Sequence, residues 1–210
     1  MGREHREFAL LWMNRRCVPM SPWTRCFLFS AVCALTVVPA SARSRGLVGA
    51  KAPAVWAQSW RNLPPGERSF DVPGQRGKVI VLFFFQSWCP GCHRRGFPTL
   101  AAAVKRYARA PDVAFAAIQT VFEGATVNTA DKAWSSVAEY GLRVAVGHDP
   151  GPDGARSLTM TRYRSGGTPW FVVIDREGIV RFDGFHLSNQ KLIDLVRRLR
   201  FEPGPMSLER

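Results

Sequence analysis

Cysteine is scarce in this chain of 210 residues. There are five, and three of them, Cys17, Cys26 and Cys33, fall near the N-terminus. The two that remain, Cys89 and Cys92, cannot staple a domain together, which excludes a disulfide scaffold. Long apolar runs are missing too. The longest, residues 26–38, falls short of the ~20 residues that span a bilayer comfortably. Basic runs are absent although Lys and Arg (29) far outnumber Asp and Glu (16). The excess is scattered, with no interleaved base-stacking aromatics, so it reads as a basic soluble surface and nucleic acid is not an expected partner. There is no internal repeat and no low-complexity tract, which sets aside solenoids and disordered tails. What is present is ordinary globular material, 46% hydrophobic and 21% charged, enough for one packed domain plus a leader.

The leader is residues 1–42. Arg15, Arg16 and Arg25 precede the apolar run, and Pro39-Ala40-Ser41-Ala42 follows it. A basic flank, a short apolar core and a small-x-small site make a secretory signal, with cleavage expected after Ala42 and an uncleaved anchor as the alternative. The expected location is therefore exported, periplasmic or otherwise extracytoplasmic, with membrane contact only through this segment. Met13 and Met20 are alternative starts. Cleavage would remove three cysteines and leave one Cys-x-x-Cys pair, whose thiols are then reactive rather than structural.

Residues 43–77, rich in Pro, Gly, Arg and Trp, read as an extended entry segment. Residues 78–202 carry the main domain, and 203–210 are a tail. Val79–Phe85 is an unbroken apolar run, the mark of a strand buried on both faces. A helical stripe (Leu100, Val104, Tyr107) follows the cysteines. Residues 113–118 are a second buried strand. Thr129 or Asp131 caps a helix through Ala133, Val137 and Tyr140, and 143–146 are a third strand. A turn-rich loop at 149–154 leads to a helix reaching about Tyr163. Residues 170–174 and 179–182 form a hairpin. Ser188 caps a last helix with Leu192, Leu195, Val196 and Leu199 on one face. Strands alternating with helices, then a hairpin and a helix, predict an α/β sandwich: a mostly parallel sheet with an antiparallel edge and helices on both faces.

The chemistry concentrates at Trp88-Cys89-Pro90-Gly91-Cys92-His93, at the junction of that first buried strand with a helix. Two cysteines at this spacing form a dithiol that closes into a disulfide without moving the backbone. Cys89 lies at the first turn, where unpaired N–H groups and the helix dipole favour a thiolate. Cys92, one turn in, stays protonated until it resolves a mixed disulfide. Pro90 suits the first helical position. The expected partners are protein or small-molecule disulfides and thiols, with an upstream electron donor and no cofactor.

The sequence resembles the thioredoxin superfamily, more narrowly the exported TlpA-type thiol-disulfide oxidoreductases and the redoxin domains near peroxiredoxins. The match rests on the strand running into Trp88-Cys89-Pro90-Gly91-Cys92, on Pro98 in the following helix, on Gly167-Thr168-Pro169, and on the hairpin after it. The resemblance implies a three-layer thioredoxin-like sandwich, protein disulfide reductase activity, a nucleophilic Cys89, a resolving Cys92, and a cis Thr168-Pro169 bond opposite them. Thr168 and Pro169 would then meet the substrate chain as an added strand. Trp88 and Trp170 would form an apolar rim around the cysteines, with core packing the plain alternative, above all for Trp170. Two departures stand out. Pro98 is one residue further from Cys92 than the family usually has it, an insertion that a π-bulge absorbs. The family also buries a carboxylate near the second cysteine, at positions occupied here by Phe83 and Gly96. Glu123 and His93 are the substitutes considered for moving protons.

Other readings compete. Cys89-Pro90-Gly91-Cys92-His93 spells a c-type haem attachment pattern, which would make His93 an axial ligand with a second among Met160, Met206, His148 and His186. Its place after a buried strand argues against this. In a peroxiredoxin-like thiol peroxidase, Cys89 would become a sulfenic acid resolved by Cys92. Such enzymes carry a hydroxyl three residues before the cysteine, where this chain has Gln86 and Ser87 is one position off. A non-catalytic redoxin scaffold is argued against by the intact pair. Cys-x-x-Cys with His93 also lacks the remaining ligands a zinc site wants.

Overall fold

The computed structural model describes residues 46–154, 156–185 and 187–202. The leader with its cysteines and cleavage site, His186, Met206 and the tail lie outside them. Six strands form one sheet, β1 (Ser59–Arg61), β2 (Val79–Phe85), β3 (Val113–Thr120), β4 (Ala145–Asp149), β5 (Trp170–Ile174) and β6 (Val180–Gly184), in the order β1-β4-β3-β2-β5-β6. The central pairs β2–β3 and β3–β4 are parallel, and β1, β5 and β6 add antiparallel edges. The helices are α1 (Phe97–Tyr107), α2 (Ala130–Glu139), α3 (Leu158–Tyr163) and α4 (Asn189–Phe201).

All seven residues of β2 are buried, which explains why its sequence runs apolar without alternation. Its odd-numbered side chains enter one core layer with Phe97 and Leu100 of α1, Val137 of α2 and Leu192 and Val196 of α4. Ile80, Leu82 and Phe84 enter the other, with Tyr163 of α3 and with Phe70 and Val72. Residues 46–77 are therefore partly built into the core. Lys51 bridges Ile179, and β1 closes the far edge of the sheet against β4. Thr129 and Ser188 cap α2 and α4 as expected.

The third strand differs from expectation. It starts two residues later than Arg143 and runs on through His148 and Asp149. Pairing draws these polar residues into the sheet, with His148 opposite both Gln119 and Ser59 and Asp149 opposite Thr120. The Asp149 carboxylate accepts from the N–H groups of Gly151, Leu158 and Thr159 and from the Ser157 hydroxyl. Those bonds satisfy a buried polar group and hold the start of α3. Among the described residues no helix is long and apolar enough to cross a membrane.

Candidate functional site: a dithiol facing a cis-proline

The Phe84–Trp170 pairing of β2 and β5 brings the chain just before β5 alongside the chain just after β2. Cysteines and proline meet there. The Thr168-Pro169 peptide is cis, and Cys89 Sγ lies 3.7 Å from the Thr168 carbonyl oxygen. The helix starts at Pro90, so Cys89 immediately precedes it. The Cys92 N–H donates to Cys89 Sγ at 3.3 Å. Both cysteines are free thiols, Cys89 at 8% exposure and Cys92 fully buried.

That placement separates their acidities. Cys89 is lowered from an ordinary 9.0 to about 5. The Cys92 thiol contributes most, burial opposes it, and the Cys92 N–H, Thr168 and the Gly91 N–H help. Cys92 is pushed far up, first by burial and then by its neighbour's sulfur, with the Gln86 N–H working the other way. One sulfur is a thiolate at neutral pH and the other holds its proton, as an exchange nucleophile and its resolving partner require.

The stretch Cys92–Gly96 is a π-helical turn in which the Phe97 N–H reaches the Cys92 carbonyl. This is the insertion ahead of Pro98, absorbed without breaking the helix. Gly96 is required there. A Cβ on it would stand 2.5 Å from Phe83 Cζ and 3.0 Å from Pro169 Cβ.

The remaining predicted residues sort by position. Trp88 is 46% exposed beside the cysteines, near Val127 across Gly124. Trp170 does not join it in a rim, because it is buried and its indole N–H donates to Asp183. The His93 ring is tied to two neighbours. Its Nε2 meets the Ser87 carbonyl at 2.7 Å and its Nδ1 the Tyr140 hydroxyl at 3.1 Å, so both ring nitrogens are engaged. Glu123 is exposed on the loop after β3. His148 is buried in the sheet next to Gln119, and burial lowers its pKa. Among the described residues no group of His, Cys, Asp and Glu is arranged to hold a metal.

Sequence reasoning missed Asn128. It is buried, and its amide ties the cysteine loop to the loop after β3. Nδ2 donates to Gln86 Oε1 at 2.7 Å and to the Glu123 and Gly124 carbonyls, while Oδ1 accepts from the Ser87 N–H and hydroxyl. Gln86 Oε1 also accepts from the Trp88 indole. These contacts join positions some 40 residues apart, and no local pattern announces them.

A buried strand ending in an asymmetric dithiol, faced by a cis-proline ahead of an antiparallel hairpin, defines a thioredoxin-like redox protein. The Redoxin family's sequence profile matches residues 47–191, and this chain belongs to that family. A thioredoxin-like superfamily protein of known structure is 36% identical, with a TM-score of 0.63 over 74% of this chain and 99% of its own. A thiol-disulfide isomerase from Corynebacterium glutamicum is 28% identical at the same TM-score, over 74% and 98%. The thioredoxin domain of a thiol-disulfide oxidoreductase from Bacteroides vulgatus, 16% identical with a TM-score of 0.55 over 72% and 96%, shares the fold. A search of curated proteins finds no match.

Proposed function

We propose that this chain is an exported protein disulfide reductase of the TlpA kind. The coarse class, a thiol-disulfide oxidoreductase, follows from the family and the dithiol. The observation that carries the exchange chemistry is the Cys89 sulfur, ionised at neutral pH and set against Thr168-Pro169; the reductase direction rests on the resemblance to TlpA-type proteins, and the redox potential decides it.

In the proposed reaction the Cys89 thiolate attacks one sulfur of a partner disulfide. A mixed disulfide forms and the partner's other sulfur leaves as thiolate, taking up a proton. The Cys92 sulfur then attacks Cys89 Sγ, closing the Cys89–Cys92 disulfide and expelling the partner's second thiol. The partner gains two electrons and two protons. An upstream dithiol returns them to the enzyme. Thr168 and Pro169 offer the partner chain a backbone edge, and exposed Trp88 offers it an apolar contact. Residues 1–42 would deliver the protein across the membrane, and 78–202 form the catalytic domain.

The peroxidase reading loses support at the hydroxyl. The Ser87 Oγ is spent on Val127 and Asn128, and Gln86 is held by Asn128 and Trp88. The haem reading loses its ligand, because both nitrogens of His93 are engaged.

The test is turnover of a peptide disulfide against hydrogen peroxide. Cys89→Ser should abolish disulfide reduction, and Cys92→Ser should accumulate mixed disulfides that dithiothreitol releases. Faster turnover of peroxide than of disulfide would refute the assignment. A redox potential less negative than about −180 mV, the region of protein disulfide isomerase, would refute the reductase direction.

A further inference from the structure

Beside the dithiol runs a groove of about 910 Å³. One end is Gly91 and Pro169, the residues that flank Cys89 Sγ. Its floor is apolar, made of Pro98, Phe171, Phe185 and Leu187. Its walls are the starts of α1 and α4, joined where the Thr99 hydroxyl donates to Asn189 at 2.6 Å. The rim carries Arg94, Arg95 and Lys191, all exposed, and among the described residues no carboxylate lines the groove.

What sets these three cations apart is their crowding round one cleft, since Arg68, Arg76, Arg109 and Arg143 also lack an acidic partner among the described residues. Arg61, Arg181, Arg197, Arg198 and Arg200 each pair with an acid of this chain. No such pair or side-chain hydrogen bond occurs for Arg94, Arg95 or Lys191 among the described residues. Unpaired like charges crowded round a cleft raise the local concentration of anions and speed their encounter.

We infer that this groove selects the substrate. It takes an extended protein segment whose half-cystine reaches Cys89 while an apolar side chain lies on the floor and acidic residues meet Arg94, Arg95 and Lys191. The inference rests on the proposed exchange reaction and adds the chemistry of the partner. The apolar floor favours a peptide over a small anionic disulfide, which has nothing to place there.

The test separates binding from chemistry. The full chain with Cys89→Ser and Cys92→Ser is titrated with two cystine-loop peptides, each carrying one Phe and differing only in two flanking residues, both Glu or both Lys. At about 20 mM salt the Glu peptide should bind about 10-fold tighter or better, and the ratio should fall to about twofold at about 500 mM salt. Adding Arg94→Gln, Arg95→Gln and Lys191→Gln should bring the low-salt ratio to about twofold or less. Equal binding of the two peptides, or a preference that survives the triple substitution, would overturn the inference. So would oxidised glutathione binding as tightly as the Glu peptide. Reduction of the same peptides by the unsubstituted protein tests the parent reading separately, since binding selectivity needs no reactive sulfur.

Discussion

Replacing Cys92 by alanine should raise the pKa of Cys89, and replacing it by serine should not. The Cys92 thiol is the largest of the influences that lower Cys89 to about 5, and alanine deletes that donor while keeping the backbone N–H at 3.3 Å. A hydrogen bond to a charged group is worth about 1.5–3 kcal/mol and a pKa unit about 1.4 kcal/mol. The midpoint should therefore climb by about 1–2 units, to about 6–7. Serine keeps a hydroxyl donor, so its midpoint should stay within about half a unit of 5. The assay is thiolate absorbance near 240 nm, or alkylation rate against pH, in a chain whose Cys17, Cys26 and Cys33 are serine so that the pair alone reports. Equal midpoints for the two variants would show that the helix terminus alone holds the charge. A midpoint near 9 in the unsubstituted pair would refute the electrostatic account of the site altogether.

The same shift has a stability consequence of definite sign. Cys89 is depressed in the fold, so its contribution is full above pH 9 and is lost as pH falls toward 5, at up to about 1.4 kcal/mol per unit. In the same chain with Cys17, Cys26 and Cys33 replaced, reduced protein should lose stability to denaturant over that window, and oxidised protein, with no thiol to ionise, should not. Asp183 runs the other way, lifted from 3.8 to about 6 by burial against its bonds to Trp170 and Leu47. Oxidised protein should lose up to about 3 kcal/mol as pH rises from about 4 to 6, and Asp183→Asn should flatten that decline. Gly96→Ala should cost about 1–3 kcal/mol by driving a methyl into the Phe83 ring, measured by urea unfolding; a cost below about 0.5 kcal/mol would contradict the packing. Asn128→Ala strands Gln86 and Ser87 and should cost about 1–3 kcal/mol. It should also shift the Cys89 midpoint, which a purely structural amide would leave alone.

The features legible in the sequence were those that local physics writes into neighbouring residues. The unbroken β2 run shows its double burial, Thr129 and Ser188 show their caps, and the extra residue before Pro98 shows the π-turn. Features held together by distant contacts were not legible. Asn128 is silent because its partners Gln86 and Ser87 belong to another loop. The end of β4 is missed, with Asp149 reading as turn, because pairing with β3 and β1 overrides the polarity of His148 and Asp149. Trp170 reads equally well as rim or core, and only the Asp183 acceptor behind it decides for the core.

Phe83 and Gly96 look like two independent departures from the family pattern, but packing makes them one. The Phe83 ring occupies the space that any side chain at 96 would need, so a carboxylate cannot return at 96 without removing the ring. The consequence falls on Cys92. No carboxylate or imidazole figures among the influences on its acidity, and the group that takes its hydrogen bond is the Cys89 thiolate. In the proposed exchange, forming the mixed disulfide consumes that acceptor at the moment Cys92 must give up its proton. With no carboxylate or imidazole acting on Cys92, the proposed acceptor is then the departing partner sulfur. A leaving thiol that is too acidic departs readily but makes a poor base, and one that is too basic departs slowly. Resolution should therefore peak for partner thiols of intermediate pKa. In a family member with a buried carboxylate, the same series should show rates rising steadily as the leaving thiol becomes more acidic.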